Sequence, residues 1–229
     1  VLKASESCPG IHRLIGQCLN EAGLPKGVVN VLTNDPKDAA TVVEALIAHP
    51  AVRRVNFTGS TAVGRRIGEL AGRYLKPVLL ELGGKAPLLV LDDADIDGAV
   101  NAAIFGAFMH QGQICMSTER LIVDEKVADE FVAKLAARAA QLPAGDPRGH
   151  VVLGSLISLQ SAEKMDALIA DATAKGASVR AGGRRTGTVV DATVLDDVRP
   201  GMRIYAEESF GPVKAVIRGA NKQGQYVVY

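Results

Sequence analysis

The sequence predicts an α/β protein with a parallel sheet. Segments with strand and helix patterns alternate along the chain, and the strand segments are almost continuously apolar. Such strands are typical of parallel sheets whose two faces are covered by helices, with right-handed crossovers between strands. Glycine occurs 24 times in 229 residues without a repeat period, which predicts many tight turns.

Composition predicts a soluble globular chain in the cytoplasm. Apolar residues make up 48% of the chain and charged residues 22%, which argues against disorder. Lys and Arg total 26 against 25 for Asp and Glu, so no net charge attracts nucleic acid or a membrane surface. No membrane span or leader segment is recognisable. The three cysteines are too scattered for a disulfide framework, and Cys8 and Cys18 are expected in the core.

The first part of the chain has the element order of half a dinucleotide-binding domain. Ile11, Leu14 and Ile15 have helical spacing, and Gly23 and Pro25 end that helix. The predicted elements are an extended start at 1–3, a helix at 9–21, a buried strand at 28–32, a helix from the 34–36 turn to 49, a strand at 52–57, a helix at 60–73 and a strand at 77–82.

A second α/β part follows Gly83 and Gly84. Pro143 and Gly145 end one of its helices, and glycine-rich strands continue to Arg218. Residues 219–229 show no clear period and are left unassigned. The other predicted elements are a strand at 87–91, a helix at 95–109, a strand at 120–123, a helix at 126–141 and a helix at 158–175.

Three segments can carry chemistry. Cys115 lies in the polar loop 111–117 after a helix, where a thiolate nucleophile is plausible, although a lone cysteine is more often a small core residue. Glu81 ends an apolar strand, where it can act as a general base or simply pair with Lys85. Segment 57–64 joins a strand to a helix through a glycine, which suits a phosphate or only a helix cap.

Taken together, these segments resemble the NAD(P)-dependent aldehyde dehydrogenases. The similarity runs from the first residues to about Arg218, and the texture of the chain is nearest to the aromatic-aldehyde branch, such as salicylaldehyde or vanillin dehydrogenases. The motifs that carry the resemblance are Lys3-Ala4-Ser5-Glu6, Phe57-Thr58-Gly59-Ser60, Glu81-Leu82-Gly83-Gly84-Lys85, Gln111-Gly112-Gln113-Ile114-Cys115 and Glu207-Glu208-Ser209-Phe210-Gly211-Pro212.

The resemblance implies a mechanism on Cys115. This cysteine matches the nucleophile that attacks the aldehyde carbon, and its backbone N–H matches one donor to the oxyanion. The thiohemiacetal loses a hydride to the nicotinamide, and a thioester remains. Glu81 matches the base that activates the thiol or the water that hydrolyses the thioester. The implied reaction converts an aldehyde, NAD and water to a carboxylic acid and NADH.

The resemblance also implies an NAD site. Lys3 and Glu6 match the pair at the adenosine ribose, where a carboxylate favours NAD over NADP. The remaining matches lie along the rest of the cofactor: Gly59, Ser60 and Val63 at the pyrophosphate and adenine, Leu82 at the nicotinamide end, and Glu208 and Phe210 at the nicotinamide ribose. Asn34-Asp35-Pro36 stands where relatives often have glycines, which weakens the adenine pocket. No histidine, cysteine or carboxylate spacing indicates a metal site.

The family is roughly twice as long as this chain, so the resemblance implies truncation at both ends. Residues 1–83 match part of the cofactor domain and 84–218 part of the catalytic domain, while an Asn that completes the oxyanion hole has no counterpart. Loss of one oxyanion donor typically costs ~10²–10³ in turnover. The alternative function is therefore a non-oxidising remnant that acts as a binding or structural module, with residual thiol esterase activity as an intermediate case. Exposed sheet edges favour a homodimer.

Overall fold

The computed structural model describes residues 1–219, and the chain divides into two compact units. The first unit is Val1–Leu82, and the second begins at Gly83. This division falls one residue before the predicted domain boundary, while the roles of the two parts as cofactor and catalytic domains stay predictions. Of the unassigned segment 219–229, all but Gly219 lies outside the described residues.

In the first unit the described strands form two separate parallel pairs instead of one sheet. Strand β1 pairs with β2, and β3 pairs with β4, each in parallel. A short 3₁₀ turn, Pro36–Asp38, precedes α2. The elements are β1 Leu2–Lys3, α1 Pro9–Glu21, β2 Val31–Leu32, α2 Ala39–Ala48, β3 Val55–Gly59, α3 Thr61–Arg73 and β4 Val78–Leu82.

Two strands differ from the sequence prediction. The predicted buried strand 28–32 is reduced to Val31–Leu32, and Val28 is 57% exposed. The reason is a turn around Gly27, whose φ of +87° requires glycine and whose carbonyl accepts from Asn30 Nδ2 at 2.8 Å. The predicted strand 52–57 lies instead at 55–59, because Val52 N donates to the carbonyl of His49 in a turn.

The predicted helices are all present, and their first residues explain where they begin. Helix α1 has the predicted bounds 9–21. The side chains of Ser60, Asp95 and Ser158 each accept a hydrogen bond from a backbone N–H three residues further on. These are N-cap bonds, which satisfy donors that a helix leaves free at its start. Ser60 therefore caps α3, and a phosphate site at segment 57–64 stays a prediction.

The second unit is built on a mixed five-stranded sheet in the order β5-β6-β11-β10-β7. All neighbouring strands are parallel except β7, which runs antiparallel to β10. Strands β8 and β9 form a small hairpin. The elements are β5 Pro87–Val90, α4 Ile96–Phe108, β6 Arg120–Val123, α5 Glu125–Ala139, α6 Leu159–Ala174, β7 Ser178–Ala181, β8 Arg185–Thr186, β9 Val189–Val190, β10 Thr193–Asp196, α7 Arg203–Ala206 and β11 Val213–Arg218.

Helices cover both faces of this sheet, which explains the continuously apolar strands. On β11, Val216 packs in a cluster with α4 and α5, whereas Ala215 and Ile217 pack in another with α6 and α7. On β10, Val194 and Leu195 divide between the same two clusters. Alternate side chains of a strand point to opposite faces, so both faces need apolar residues. The predicted α/β class is confirmed.

The amino ends of three parallel strands place the motif segments at one edge of this sheet. Strands β5, β6 and β11 are adjacent and parallel, with Arg120 in register with both Pro87 and Ala215. The segments that precede these strands therefore meet. They contain Lys85, the cysteine loop 111–117 and the loop 207–212.

Candidate active site

Cys115 is exposed in a turn that is anchored on both sides. Ser117 N donates to the carbonyl of Ile114 at 2.9 Å, which places Cys115 in the turn between them. Gln113 Oε1 accepts from Ile157 N at 3.0 Å, and Ser117 Oγ donates to the carbonyl of Gly106 at 3.0 Å. The alternative of a buried core cysteine is therefore wrong for Cys115. Cys18 is also exposed, so its predicted place in the core is wrong, and Cys8 is only partly buried.

The chain enters this turn through a left-handed segment. His110, Gln111 and Gly112 have φ values of 51°, 58° and 70°, and left-handed backbone is uncommon for residues other than glycine. When the Gln111 amide is oriented to satisfy both of its neighbours, it donates to the carbonyl of His110 at 3.0 Å and accepts from Gly154 N at 2.8 Å, and these bonds hold the segment. Strain of this kind needs surrounding contacts to persist and is concentrated at functional sites.

Gly112 brings the cysteine loop against the loop 207–212. A Cβ at Gly112 would lie 2.5 Å from the carbonyl oxygen of Gly211 and 2.9 Å from that of Ala107. Both atoms belong to the backbone, so they cannot move aside as a flexible side chain would. Only glycine permits this approach.

We expect the substitution Gly112→Ala to destabilise the second unit by roughly 3 kcal/mol, because it adds left-handed strain to a backbone clash. Thermal unfolding followed by circular dichroism measures the loss. Gly72→Ala in α3 is the control, since a Cβ there meets nothing within 4 Å and alanine favours helix. Equal stability of the two variants would contradict the close approach.

The loop 207–212 holds Glu208 and Phe210 in defined places. Glu208 Oε1 accepts from Gly84 N at 3.2 Å, and a Cβ at Gly83 would lie 2.1 Å from Glu208 Oε2. The Glu208 carboxylate therefore lies against the glycine pair. Phe210 has φ +51° and is 39% exposed, while Ser209 between Glu208 and Phe210 is buried.

A buried ion cluster joins these loops, and the sequence patterns did not predict it. We name Lys85, Glu119 and Lys214 the Glu119 cluster. Glu119 Oε2 accepts from Lys85 Nζ at 2.8 Å, and Glu119 Oε1 from Lys214 Nζ at 3.2 Å. The three side chains are 8%, 3% and 0% exposed. The feature of the sequence that could have indicated the cluster is Lys214, which lies inside an apolar strand. A lysine is almost never buried unless it is paired.

In the Glu119 cluster, the neighbouring charges counteract the effect of burial on each pKa. Burial raises the pKa of Glu119, but the ammonium groups of Lys214 and Lys85 outweigh it, so the pKa lies below its usual value. Burial lowers the pKa of Lys85 and of Lys214, with Glu119 acting against it. Lys85 takes Glu119 as its ion-pair partner, which contradicts the ordinary Glu81–Lys85 pair that the sequence allowed.

In the first unit, Lys3 and Glu6 form an ion pair. Asn34 Nδ2 donates to the same Glu6 oxygen at 3.0 Å, and the buried Asn34 Oδ1 lacks a hydrogen-bond partner within residues 1–219. The hydrogen bond from Lys3 is the largest cause that lowers the pKa of Glu6 to about 2. The structure thus brings two predicted cofactor residues together and adds Asn34, which the sequence analysis treated only as a departure from the family.

The other predicted residues of the first unit lie on β3, α3 and β4. Gly59 ends β3, Ser60 caps α3, and Val63 is exposed in the first turn of that helix. Leu82 packs closely on α3, because a Cβ at Gly64 would lie 2.4 Å from Leu82 Cδ2. These positions fit a site around the first turn of α3, although the role of each residue stays a prediction.

Glu81 is exposed near the carboxyl end of β4, in register with Thr58 of β3. It belongs to the first unit and Cys115 to the second. Their roles as base and nucleophile stay predictions.

The structure defines an α/β protein in which an exposed cysteine lies in an anchored turn at one edge of a doubly covered sheet. The model of the aldehyde dehydrogenase family matches residues 1–224. This chain belongs to that family of oxidoreductases, which use NAD or NADP. The family match extends to residue 224, so the prediction that the similarity ends at about Arg218 is wrong.

The similar proteins include aromatic-aldehyde dehydrogenases. A vanillin dehydrogenase of Pseudomonas fluorescens is 63% identical over 224 residues, which are 97% of this chain and 46% of the relative. A salicylaldehyde dehydrogenase of Pseudomonas sp. strain C18 is 55% identical over 220 residues, 95% of this chain and 46% of the relative. The predicted nearness to that branch is confirmed. The chain spans about half the length of these relatives.

A solved structure gives the same result for the fold. The crystal structure of a salicylaldehyde dehydrogenase from Pseudomonas putida G7, complexed with salicylaldehyde, superposes with a TM-score of 0.93 at 52% identity. The superposition covers 96% of this chain and 46% of that one. Within residues 1–219, no helix is long and apolar enough to cross a membrane, and no cluster of potential metal ligands is present.

Proposed function

We propose that this chain takes part in oxidising an aromatic aldehyde to the carboxylic acid, with NAD as the hydride acceptor and a thioester on Cys115. The observation that carries the proposal is the exposed Cys115, held in an anchored turn in a member of the aldehyde dehydrogenase family. The names of the vanillin and salicylaldehyde dehydrogenases support an aromatic substrate.

Cys115 acts as the nucleophile in this proposal. Its thiol proton passes to water, its sulfur forms a bond to the aldehyde carbon, and the carbonyl electron pair moves to the oxygen, which accepts a hydrogen bond from the Cys115 N–H. The chemistry that NAD would supply when bound is the acceptance of the hydride from the same carbon. Glu81 takes the proton from the water that then attacks the thioester, and the Cys115 sulfur leaves with the bonding electron pair.

The first unit fits the adenosine half of NAD. Asn34 Oδ1 is buried without a partner among the described residues, next to the Glu6 carboxylate, and both are acceptors for ribose hydroxyls. The start of α3 after Ser60 offers backbone N–H groups for the pyrophosphate. The nicotinamide ribose is assigned to Glu208 and Phe210 through the family resemblance.

We expect Glu6→Gln to reduce the preference for NADH over NADPH by about tenfold. The Glu6 pKa of about 2 keeps the carboxylate charged at any higher pH, so that it repels a 2′-phosphate. The substitution removes this repulsion and frees the Lys3 ammonium to pair with the phosphate. Fluorescence titration with NADH and NADPH gives both dissociation constants. Glu21→Gln on α1 is the control, and a similar change of preference in both variants would contradict the role of Glu6.

The experiment that tests the proposed function is NADH formation by the purified chain with a panel of aldehydes. We expect salicylaldehyde and vanillin to exceed short aliphatic aldehydes in kcat/KM. A higher kcat/KM for the aliphatic aldehydes would contradict the aromatic assignment. A folded chain that forms no NADH from any aldehyde would contradict the dehydrogenase assignment itself.

We also propose that the chain forms a homodimer. Apolar side chains on α1 support this, since Ile11, Leu14, Ile15 and Leu19 are 41–59% exposed, and apolar surface of this kind favours association. Sedimentation at micromolar concentration should show a dimer. A monomer would contradict the proposal.

A further inference from the structure

We propose that Glu119 is a positioning residue that holds the loop with Glu208 and Phe210 in its active arrangement at the cysteine loop. This inference rests on the proposed function, which assigns Glu208 and Phe210 to the nicotinamide ribose and Cys115 to the aldehyde. It assigns a task to a buried carboxylate that the proposed reaction itself does not use.

The backbone bonds of Glu119 define its task. Glu119 Oε2 accepts from Ser209 N at 2.8 Å, and Glu119 Oε1 accepts from Phe210 N at 3.2 Å and from Ser209 Oγ at 2.7 Å. The carboxylate thus binds the consecutive backbone amides of Ser209 and Phe210. Phe210 is itself one of the two residues predicted to hold the nicotinamide ribose, and Ser209 lies between it and the other, Glu208. Hydrogen bonds to a charged acceptor are stronger than those between neutral groups, and they hold the strained Phe210 backbone at φ +51°.

The same cluster reaches the cysteine turn. Lys214 Nζ donates to Ser117 Oγ at 3.3 Å, and Ser117 closes the turn that contains Cys115. Glu119 itself lies four residues after Cys115 in sequence. The close approach of Gly112 to Gly211 is a second contact between the same two loops. The two loops are therefore joined by ionic and by backbone contacts.

The cost of the cluster argues against a role in stability alone. Two ammonium groups and one carboxylate are removed from water, and apolar side chains of similar volume commonly replace buried ion pairs with no loss of stability. Five donors around one carboxylate fix its place more strictly than apolar packing would. Strict placement matters at a site where a small displacement lowers the reaction rate.

Two variants of the full chain isolate the carboxylate. Lys214→Met leaves Glu119 neutralised by Lys85 and keeps the bonds to Ser209 and Phe210. The double variant Glu119→Gln/Lys214→Met removes the carboxylate and restores the net charge of the wild-type cluster, so that burial of excess charge does not unfold it. Asp196→Asn is a further control, because Asp196 is a buried carboxylate on β10 that binds Arg218 and touches neither loop.

Two measurements on each variant test the positioning role of Glu119. Hydrogen exchange reports protection of the amides in 207–212, and NADH fluorescence titration reports the dissociation constant without requiring turnover. We expect the double variant to lose protection in this loop and to bind NADH about tenfold more weakly, the consequence of losing charged hydrogen bonds. Asp196→Asn should remain within about twofold of the wild type, and the double variant should bind NADH more weakly and show less protection than Lys214→Met, from which it differs only in the carboxylate. Steady-state kinetics should show a raised KM for NAD in the double variant and an unchanged KM for aldehyde.

The outcomes separate this inference from the proposed function. Unchanged protection in the double variant would overturn the positioning role, whether or not the chain binds NADH. If the double variant loses protection but keeps its NADH affinity, Glu119 has only a structural role, and the positioning role is overturned. An equal loss of affinity in Asp196→Asn would lead to the same conclusion. A wild-type chain that forms no NADH would contradict the proposed function. Hydrogen exchange of the amides in 207–212 would then be the measurement that supports or overturns the placement of this loop by Glu119.

Discussion

Replacing Cys115 with alanine should abolish aldehyde-dependent NADH formation, by a factor on the order of 10⁴ or more. The alanine side chain cannot form a bond to the aldehyde carbon, so the hydride has no thiohemiacetal from which to leave. The fold should survive, because the cysteine side chain is exposed and the turn is held by Gln113 and Ser117. Melting temperature and NADH affinity should therefore match those of the wild type.

Cys18→Ala is the matched control for this experiment. Cys18 is also an exposed cysteine, but it lies on α1 of the first unit. Its replacement should leave turnover unchanged. Comparable losses in both variants, or full activity in Cys115→Ala, would contradict the assignment of the nucleophile.

The same pair of variants tests the alternative functions. A thiol esterase would cleave an activated ester without NAD, and this activity should be lost in Cys115→Ala and kept in Cys18→Ala. Ester cleavage that survives Cys115→Ala would eliminate the esterase. If neither NADH formation nor ester cleavage occurs in the folded chain, the binding or structural module becomes the better interpretation.

Local patterns predicted helices α1 to α6 and the cysteine loop, because the residues that specify them are close in sequence, whereas the short helix α7 was not predicted. The cap at Ser60 needs only Val63, and the cysteine motif is contained in 111–117. Strand β2 was overpredicted, since apolar residues at 28–32 read as a strand while Gly27 and Asn30 form a turn. The turn that is closed by the Asn30 side chain therefore outweighed the strand tendency of the apolar residues.

The Glu119 cluster could not be predicted in the same way. Glu119 and Lys214 are 95 residues apart, and only the adjacency of β6 and β11 brings them together. The left-handed backbone at His110 and Gln111 could not be predicted from the sequence either. It is stabilised by contacts with distant residues, namely Gly154 and the approach of Gly112 to Gly211. Long-range contacts thus determined the parts of the candidate site that residue types alone did not indicate.

Glu81→Gln should lower steady-state turnover by about 10²–10⁴, the usual contribution of a general base. Glutamine keeps the shape of the side chain but cannot accept a proton from water. Because Glu81 is exposed on β4, its loss should not disturb the fold. Glu69→Gln is the matched control, since Glu69 is an exposed carboxylate on α3 in the same unit, and its turnover should not change.

Rapid-mixing kinetics distinguish the two tasks that the resemblance allows for Glu81. If it activates the deacylating water, Glu81→Gln should still form about one NADH per chain in a fast first turnover and then stop, because the thioester accumulates on Cys115. If it activates the thiol, the first turnover itself should slow, along with alkylation of Cys115 by iodoacetamide. We expect the first result, since neutral water is a weaker nucleophile than a cysteine thiol, so that its attack on a thioester gains more from a positioned base.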